Sequence, residues 1–354
     1  MRERDHLIDG LDQRLASAVE SRGSIVFLSG EAGAGKTTLI REWMSRIEWG
    51  TVVLEGACDP LVTPRPLSPV LDIATNPESG LTALVAAGAD PSQLFTTFLA
   101  QMNGSIRPTV VVLEDIHWAG GGTLDFIRFL GRRLRDTKAV LICTYRDDEV
   151  GPGHPLRPVM GDLATKAPVF ELVVEPLSLD AVRKMVGVGR IDPEHLHRIT
   201  GGNPFYVTEV LATGEELPTS VQNSILARLS RIGERARAVC EAVAAAPRYL
   251  EVDVALALAG ATGEDADEAI TAGAITAEEG VLRFRHEVAR AAVEDAIPSV
   301  KRLRLHRQLL EVLRQADSID LARLAHHAVC AQADDLVVEY APRAARLARK
   351  RRAH

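Results

Sequence analysis

The residues best suited to chemistry form the octapeptide GEAGAGKT, residues 30–37. It has the form GxxxxGK[ST], in which glycines let the backbone turn so that its N–H groups face a chain of phosphates. Lys36 can reach the terminal phosphates, and the Thr37 hydroxyl can ligate Mg²⁺. A glycine-rich turn without a ligand is the alternative. The residues expected to contact a nucleotide here are Gly30, Gly33, Ala34, Gly35, Lys36, Thr37 and Thr38.

Two acids, Glu114 and Asp115, end the apolar segment VVVLED at residues 110–115. The apolar residues predict a buried strand, and open α/β sheets bind ligands at the tips of their strands. We expect Glu114 to enter a magnesium shell and Asp115 to polarise the attacking water, although the two acids could exchange these roles. Acids at a strand end also occur as simple helix caps. The glycine-rich loop upstream favours the chemical role.

Arg146 ends another apolar run, in the segment TYRDDE. A cation at this point could sense or stabilise a γ-phosphate. The alternative is a surface arginine that pairs with Asp147 or Asp148.

Three more basic residues have a chemical and a structural interpretation. His117 could contact the nucleotide or relay its state, although its neighbours resemble core packing. Arg132 and Arg133 could act in trans as arginine fingers in an oligomer. A solvated helix end is the favoured account of these two arginines.

These residues need a scaffold, and the first half of the chain supplies five short apolar runs with room for helices between them. The runs are SIVFLS (24–29), TVVLEG (51–56), TVVVLED (109–115), AVLICTYR (139–146) and VFELVVE (169–175). Such runs alternating with helical segments predict a parallel sheet covered on both faces. After residue 178 amphipathic helical segments follow one another. Only residues 274–287 favour a β-hairpin, like the wing of a winged helix.

Length and composition restrict the class of protein. A chain of 354 residues suits two or three domains. Its 46% hydrophobic and 25% charged residues are typical of a soluble globular protein, and no apolar run approaches a membrane span. The amino terminus lacks the apolar core of a secretory signal, so a cytoplasmic location is expected. The net charge of −7 provides no basic field for nucleic acid.

The cysteines give no sign of a shared site. The chain has four, Cys58, Cys143, Cys240 and Cys330, and none forms a CxxC pair. Buried reduced thiols are therefore expected, and neither a zinc site nor a disulfide framework is suggested.

Segments from about residue 2 to residue 350 resemble the amino-terminal ATPase region of the large ATP-binding LuxR-type transcriptional regulators. These regulators belong to the STAND class of AAA+-related switch ATPases. The segments that carry the resemblance include RERDHL, LSGEAGAGKTTLIREW, VVLEDIHWA, ITGGNPFYVTEVLA, FRHEVARAAVEDAIP and RLAHHA. The resemblance implies ATP and ADP as ligands with Mg²⁺. It also implies that ADP holds a closed state and that ATP, after an inducer binds, favours an open, self-associating one.

The same resemblance implies a fold and a division into domains. The fold is an α/β P-loop NTPase with a parallel five-stranded core sheet, followed by a helical lid, a winged-helix-like domain and the start of tetratricopeptide-like helices. The expected bounds are 1–176 for the nucleotide-binding domain, 177–214 for the lid, 215–300 for the winged-helix-like domain and 301–354 for the last helices.

Four residues receive roles only from the resemblance. Gly202 and Pro204 match the GxP element of the lid, whose proline is placed to pack on adenine; as an alternative, Asn203 caps a helix that begins at Pro204. Arg4 lies where the family's leading segment runs along the base. His286 is similar to the winged-helix histidine that touches the ADP β-phosphate in more distant STAND switches.

The sequence departs from the family pattern in two places. Gly120, Gly121 and Gly122 stand where an acid usually follows HWA, so hydrolysis is expected to be slow or absent. The sequence also ends before the helix-turn-helix that family members carry, so we expect either a fragment or a chain that does not read DNA by itself. An apolar stripe near the end could then meet a partner or a second copy; it comprises Val337, Tyr340, Ala341, Ala344, Leu347 and Ala348.

The sequence thus predicts a slow, STAND-type ATPase switch whose inducer or partner protein is unknown. An AAA+ remodelling motor and a degenerate nucleotide-binding scaffold are the alternatives. A motor would need a ring and a true arginine finger.

Overall fold

The structure of the chain is a computed structural model with two compact units. The first unit extends to Lys184 and includes Asn203–Phe205, and the second contains the rest of the chain after Lys184. The structure describes residues 3–47, 50–58, 67–187, 191–315 and 320–352, with side chains up to residue 346. The division into four domains stays a prediction.

The first unit alternates strands and helices along the chain. Its strands are β1 Ser24–Ser29, β2 Val52–Ala57, β3 Thr109–Glu114, β4 Ala139–Tyr145 and β5 Val169–Val173. Its helices are α1 Asp5–Val19, α2 Lys36–Met44, α3 Ser68–Ala74, α4 Thr82–Ala86, α5 Pro91–Gly104, α6 Gly121–Gly131, α7 Leu156–Lys166 and α8 Leu179–Val186, whose last residues belong to the second unit. Single 3₁₀ turns cover Pro77–Ser79, Ile116–Trp118 and Asp147–Glu149.

The five strands form one parallel sheet in the order β2-β3-β4-β1-β5. The predicted five-stranded P-loop core is therefore confirmed, with strand bounds that differ from the apolar runs by at most two residues. The central strand β1 is buried along its whole length, whereas the edge strand β5 is half exposed. This difference explains the sequence pattern, because only a strand covered on both faces needs to be apolar throughout.

Two hydrophobic cores lie on the opposite faces of this sheet. Successive residues of β1 alternate between them: Ile25 and Phe27 belong to one core, and Val26 and Leu28 to the other. Because all five strands are parallel, the carboxyl ends of β1, β3 and β4 lie at the same edge of the sheet. The loops that follow these strands carry the residues with predicted chemistry.

The second unit is mainly helical and contains a small antiparallel sheet. Its helices are α9 Pro193–Thr200, α10 Pro204–Thr213, which begins in the first unit, α11 Thr219–Leu229, α12 Glu234–Ala244, α13 Val252–Ala259, α14 Gly263–Thr271, α15 Glu287–Ala296, α16 Ser299–Gln315, α17 Leu321–Cys330 and α18 Asp334–Arg352. Its strands are β6 Leu250–Glu251, β7 Thr276–Glu278 and β8 Val281–Arg283, in the order β6-β8-β7.

The hairpin expected in residues 274–287 is confirmed as β7 and β8. Its two turn residues, Glu279 and Gly280, have φ angles of 49° and 80°. Two positive φ angles are the condition for the tight turn whose twist suits a two-residue hairpin loop. The small sheet and its surrounding helices are winged-helix-like, as the fold prediction required.

The last three helices bury part of the predicted apolar stripe within the chain itself. Tyr340 is 7% exposed and shares a core with Leu324 of α17 and Leu310 of α16, and Val337 packs against that core. Tyr340 is covered because α18 folds back on α17, whereas Val337 is half-buried. A partner for the rest of the stripe stays a prediction. Ala341 and Ala344 are half-buried. Leu347 and Ala348 lie outside the residues whose side chains the structure describes.

No helix within the described residues combines the length and the apolar character that crossing a membrane requires.

Candidate nucleotide site

The glycine-rich loop links the end of β1 to the start of α2. Gly30, Gly33 and Gly35 have φ angles of 150°, 80° and 93°, which side chains rarely tolerate. A Cβ at Gly30 would lie 2.7 Å from the carbonyl oxygen of Val174, and one at Gly33 would lie 2.8 Å from Asn203 Oδ1. The loop therefore needs glycine at both positions. Ala34, inside the loop, is buried.

Lys36 begins α2 and points its amine back into the loop. The side chain is 7% exposed, and Nζ donates hydrogen bonds to the carbonyl oxygens of Gly30 at 2.6 Å and Glu31 at 3.0 Å. Burial and the nearby charge of Arg146 lower the pKa of Lys36. A cation enclosed by a glycine-rich loop at the amino terminus of a helix fits a chain of phosphates.

Thr37 and Glu114 meet at the tip of β3. The Thr37 hydroxyl donates a hydrogen bond to Glu114 Oε2. A hydroxyl and a carboxylate oxygen in contact are the hard ligands that Mg²⁺ prefers, so this pair fits the predicted metal position. Thr38 follows in the first turn of α2.

Asp115 has a backbone conformation that is uncommon for its residue type. Its φ is 55°, and its N–H donates to Thr144 Oγ1 at 2.9 Å. Strained residues of this kind cluster at functional sites. Burial raises the pKa of Asp115, while the charges of Arg146 and Lys36 act in the opposite direction. The carboxylate thus lies within electrostatic reach of both cations.

Arg146 is held by an acid that the sequence did not single out. Its Nη1 donates to Glu149 Oε1 at 2.5 Å, and its guanidinium lies 4.7 Å from the centroid of the Trp118 ring. Trp118 Nε1 donates to the other Glu149 oxygen at 3.2 Å. Glu149 is therefore the partner of Arg146, in place of Asp147 or Asp148, the two partners that the sequence suggested. No local pattern marks it, because all three acids follow one another in the chain.

His117 is buried between two of these acids. Its Nδ1 lies 3.9 Å from Asp115 Oδ1, and its Nε2 lies 3.6 Å from Glu149 Oε2. Its carbonyl oxygen is 3.0 Å from His154 Nε2. Its burial agrees with the core packing that its sequence neighbours suggested, and the relaying role stays a prediction. Sequence reasoning missed His154, which is 37 residues away.

The segment GGNPF contacts the loop through Asn203 and Phe205. Asn203 Nδ2 donates to Glu31 Oε1 at 2.7 Å and to the Ala32 carbonyl oxygen at 2.9 Å. Phe205 N–H donates to Asn203 Oδ1 at 3.1 Å and to the Gly33 carbonyl oxygen at 3.3 Å. Asn203 therefore caps α10, as considered from the sequence, and also binds the loop. Pro204 is the first residue of α10.

The other predicted residues are spread over both units. Arg4 is buried in the first unit, and its guanidinium donates to the carbonyl oxygen of Glu175, just after β5. Burial lowers the pKa of Arg4. His286 belongs to the second unit, where its ring lies 5.4 Å from that of Tyr206 and its Nδ1 would be 2.4 Å from a Cβ at Gly201.

The two arginines considered as fingers have partners in their own chain. Arg132 donates to Asp162 Oδ2 from Nε at 2.9 Å and from Nη2 at 2.5 Å. Arg133 donates to the Phe129 carbonyl oxygen at 2.9 Å, and its guanidinium lies 4.1 Å from the centroid of the Phe129 ring.

Known proteins resemble this chain in sequence and in fold. The chain is 24% identical to an uncharacterized protein of Rhizobium meliloti (strain 1021) over 92% of its own length, and it spans 38% of the length of that relative. The Walker-type ATPase of Pyrococcus abyssi has a similar fold, with a TM-score of 0.53, 13% identity, and coverage of 83% of this chain and 96% of that one. A Signal Transduction ATPase with Numerous Domains from Pyrococcus horikoshii gives a TM-score of 0.39 at 14% identity, covering 94% of this chain and 49% of that one.

Residues 2–143 match the sequence family described as the AAA ATPase domain. This span contains the glycine-rich loop, Thr37 and both acids at the tip of β3. The match covers less than half of the chain, and the residues that it covers include helices α1 to α6 and strands β1 to β3 of the P-loop fold.

Proposed function

We propose that the chain is a slow ATPase that acts as a STAND-type regulatory switch, like the ATPase module of LuxR-type transcriptional regulators. The AAA ATPase match supports nucleotide binding at the loop. The motif resemblance supports the regulatory part. One structural observation supports the switch: Asn203, in the segment that would form the lid, is hydrogen-bonded to the glycine-rich loop that would hold the phosphates.

The bonds between Asn203–Phe205 and the loop give the switch its physical basis. These residues bind Glu31, Ala32 and Gly33 in succession. Lys36 is bound to carbonyl oxygens of the same loop, and phosphates would compete for its amine. Any shift of residues 31–33 around a nucleotide therefore acts directly on the start of α10. Because the loop and the start of α10 share these contacts, a nucleotide that moves the loop can favour one of two positions of α10.

ATP, when bound, supplies the γ-phosphoryl group that water attacks. We propose that Thr37 and Glu114 hold Mg²⁺ and that Asp115 orients the water. Arg146 would exchange Glu149 for the γ-phosphate, which makes it a sensor of the bound nucleotide. Pro204 and Arg4 are proposed to pack on the base, and the role of His286 stays a prediction from the resemblance.

The partner of this switch is proposed only by class. An inducer or a partner protein would favour exchange of ADP for ATP, and self-association would follow. For the motor alternative, Arg132 or Arg133 would have to leave its partner within the chain and reach a nucleotide in a second copy. The degenerate scaffold remains the alternative to test.

The test begins with protein purified without added nucleotide. We expect near-stoichiometric ADP after denaturation, together with slow turnover. Asn203→Ala removes two hydrogen bonds to the loop, so ADP should dissociate about tenfold faster, as expected from about 1.4 kcal/mol. Asn76→Ala is the matched control, because Asn76 also caps a helical turn and reaches a backbone carbonyl, that of Val53.

Two outcomes would count against the switch. Protein without nucleotide that turns over many times per minute would favour a motor. Unchanged ADP dissociation in Asn203→Ala would show that the segment does not control the loop, even if the ATPase activity itself is present.

A further inference from the structure

A cavity in the second unit collects metal-binding side chains from three helices. Its volume is about 630 Å³, and its walls include Glu294 of α15, His306 of α16 and Cys330 of α17. His306 is buried, whereas Cys330 is only half-buried. The cavity therefore gives an ion a path to side chains that are otherwise enclosed.

Three side chains in this region converge closely enough to share one ion. Single donor atoms of His306, His326 and Cys330 all lie within 4.8 Å of one another. His326 and Cys330 are four residues apart on α17, and their Nε2 and Sγ atoms are 3.8 Å apart. The zinc bond lengths of about 2.0–2.3 Å to nitrogen and sulfur place neighbouring ligands of a tetrahedral site about 3.3–3.8 Å apart. The nitrogen–sulfur pair on α17 lies within about 0.3 Å of the separation of about 3.6 Å that one zinc ion would require.

The orientation of His306 is fixed by a neighbouring histidine. Its Nδ1 lies 3.0 Å from His327 Nδ1. One of the two nitrogens in this contact donates and the other accepts. When His306 donates from Nδ1, its Nε2 carries the lone pair that a metal requires, and His327 acts as the orienting partner typical of metal sites.

A carboxylate lies beside the His306 ring. Glu294 Oε1 lies 3.8 Å from His306 Nε2. The other oxygen, Oε2, accepts a hydrogen bond from Arg290 at 2.6 Å. Arg290 also pairs with Glu287 at 2.8 Å, which reduces its repulsion of a nearby cation. Arg302 in the cavity wall is a further positive group near the site.

We propose that His306, His326 and Cys330 bind a divalent transition-metal ion of the zinc class, with Glu294 as the fourth ligand. Two imidazoles, a thiolate and one carboxylate suit Zn²⁺ better than Mg²⁺, which prefers oxygen ligands throughout. A metal binds sulfur as the thiolate, so the thiol proton of Cys330 is released to solvent as the sulfur binds the ion. The ion joins α15, α16 and α17 and stabilises their packing.

The site is tested on the full, reduced, metal-free chain by titration with Co²⁺. We expect one equivalent to bind and to give a thiolate-to-cobalt charge-transfer band with the ligand-field bands of tetrahedral cobalt. Zn²⁺ should then displace the cobalt. A divalent ion bound near Thr37 and Glu114 would have oxygen ligands and would give no thiolate band, so the two sites are distinguishable.

Three variants separate this site from general binding to histidine. Cys330→Ala should abolish the thiolate band, and His326→Gln should weaken Zn²⁺ binding at least about tenfold. His195→Gln is the matched control, because His195 Nε2 lies 3.0 Å from Glu216 Oε1 in an exposed position. The control should bind the metal as the wild type does.

A wild type that shows no thiolate band would overturn the proposal, and so would a band that survives in Cys330→Ala. If Cys330→Ala does not fold, alkylation of the wild type decides the question. Saturating Zn²⁺ should protect Cys330 from the alkylating reagent, as measured by mass spectrometry of the peptide. An unprotected Cys330 would reject the site.

Discussion

The nucleotide site of the first unit and the histidine cluster of the second, which consists of His306, His326 and His327, bring polar groups together in different ways. Lys36 is bonded to carbonyl oxygens only five and six residues earlier, within one loop. His306 meets His327 across 21 residues and two helices. The first arrangement is held by backbone conformation, the second by helix packing. Chemistry that depends on local backbone geometry leaves a contiguous motif, whereas chemistry between packed helices leaves scattered residues.

The largest expected effect comes from a substitution in the nucleotide site. Lys36→Ala removes the amine that lies inside the loop, and with it a charged contact to the phosphates. Nucleotide affinity should fall at least about 100-fold, as expected from about 3 kcal/mol for a charge-assisted contact. Isothermal titration with ADP and ATP measures the change.

A lysine of the same unit supplies the control for this result. Lys166 is half exposed and pairs with Asp162 at 2.5 Å, so Lys166→Ala should keep wild-type affinity. If both variants bind nucleotide normally, the glycine-rich loop is only a structural turn. The contiguous motif would then not mark a nucleotide site.

The second effect concerns hydrolysis alone. Asp115→Asn keeps the size and the backbone contact of the residue but removes the base, so single-turnover hydrolysis should slow about 100-fold or more. Nucleotide affinity should change little, because Lys36 and the loop remain. Rapid-quench measurement of phosphate release gives the rate.

A matched substitution at the neighbouring acid separates the two roles. Glu114→Gln alters the group bonded to Thr37. Its main effect should therefore be weaker Mg²⁺ binding, seen as a higher Mg²⁺ concentration required for hydrolysis. If Glu114→Gln loses the hydrolysis step and Asp115→Asn does not, the two acids have exchanged roles. An unchanged rate in both variants would support the degenerate scaffold.

The sequence predicts the first unit well because its signals are local. Strands β1 and β3 are continuous apolar runs since both of their faces are buried, and the loop after β1 needs glycine for its backbone angles. The link between Asn203 and Glu31 was not predicted, because nothing in either segment marks a contact between residues 172 positions apart. Glu149 was missed for another reason: it follows two other acids that look equivalent in sequence.

The second unit shows the limit of the same reasoning. The hairpin of β7 and β8 was predictable from its turn residues, but the histidine cluster was not. The four-residue spacing of His326 and Cys330 on one helix indicates that their side chains are neighbours, but it marks a metal site less clearly than a CxxC pair does. His306 and Glu294 carry no sequence signal, since His306 approaches α17 through the packing of α16 against it, and Glu294 of α15 lies beside His306. The coverage of Tyr340 by α17 likewise depends on how the helices pack.

The smallest expected effect comes from a polar contact in the second unit, between β6 and α17. Arg323 binds both carboxylate oxygens of Glu251, at 2.7 and 3.0 Å, although 72 residues separate them. This hydrogen bonding holds the pKa of Glu251 below its usual value of 4.5. Because the pair is partly exposed, Glu251→Gln should cost about 1 kcal/mol or less at neutral pH. Thermal unfolding of both proteins measures it.

The sign of the pH dependence makes this last prediction specific. A carboxyl whose pKa is lower in the folded state than in the unfolded state stabilises the fold above its unfolded pKa, and this stabilisation is lost as the pH falls through the folded pKa. The difference in Tm between the wild type and Glu251→Gln should therefore be largest near neutrality and shrink below about pH 4.5. Glu278→Gln, in the exposed pair with Arg283, should show little difference at any pH. A Glu251 difference that grows on acidification would mean that the carboxyl is held in its protonated form, and the contact across 72 residues would then not be an ion pair.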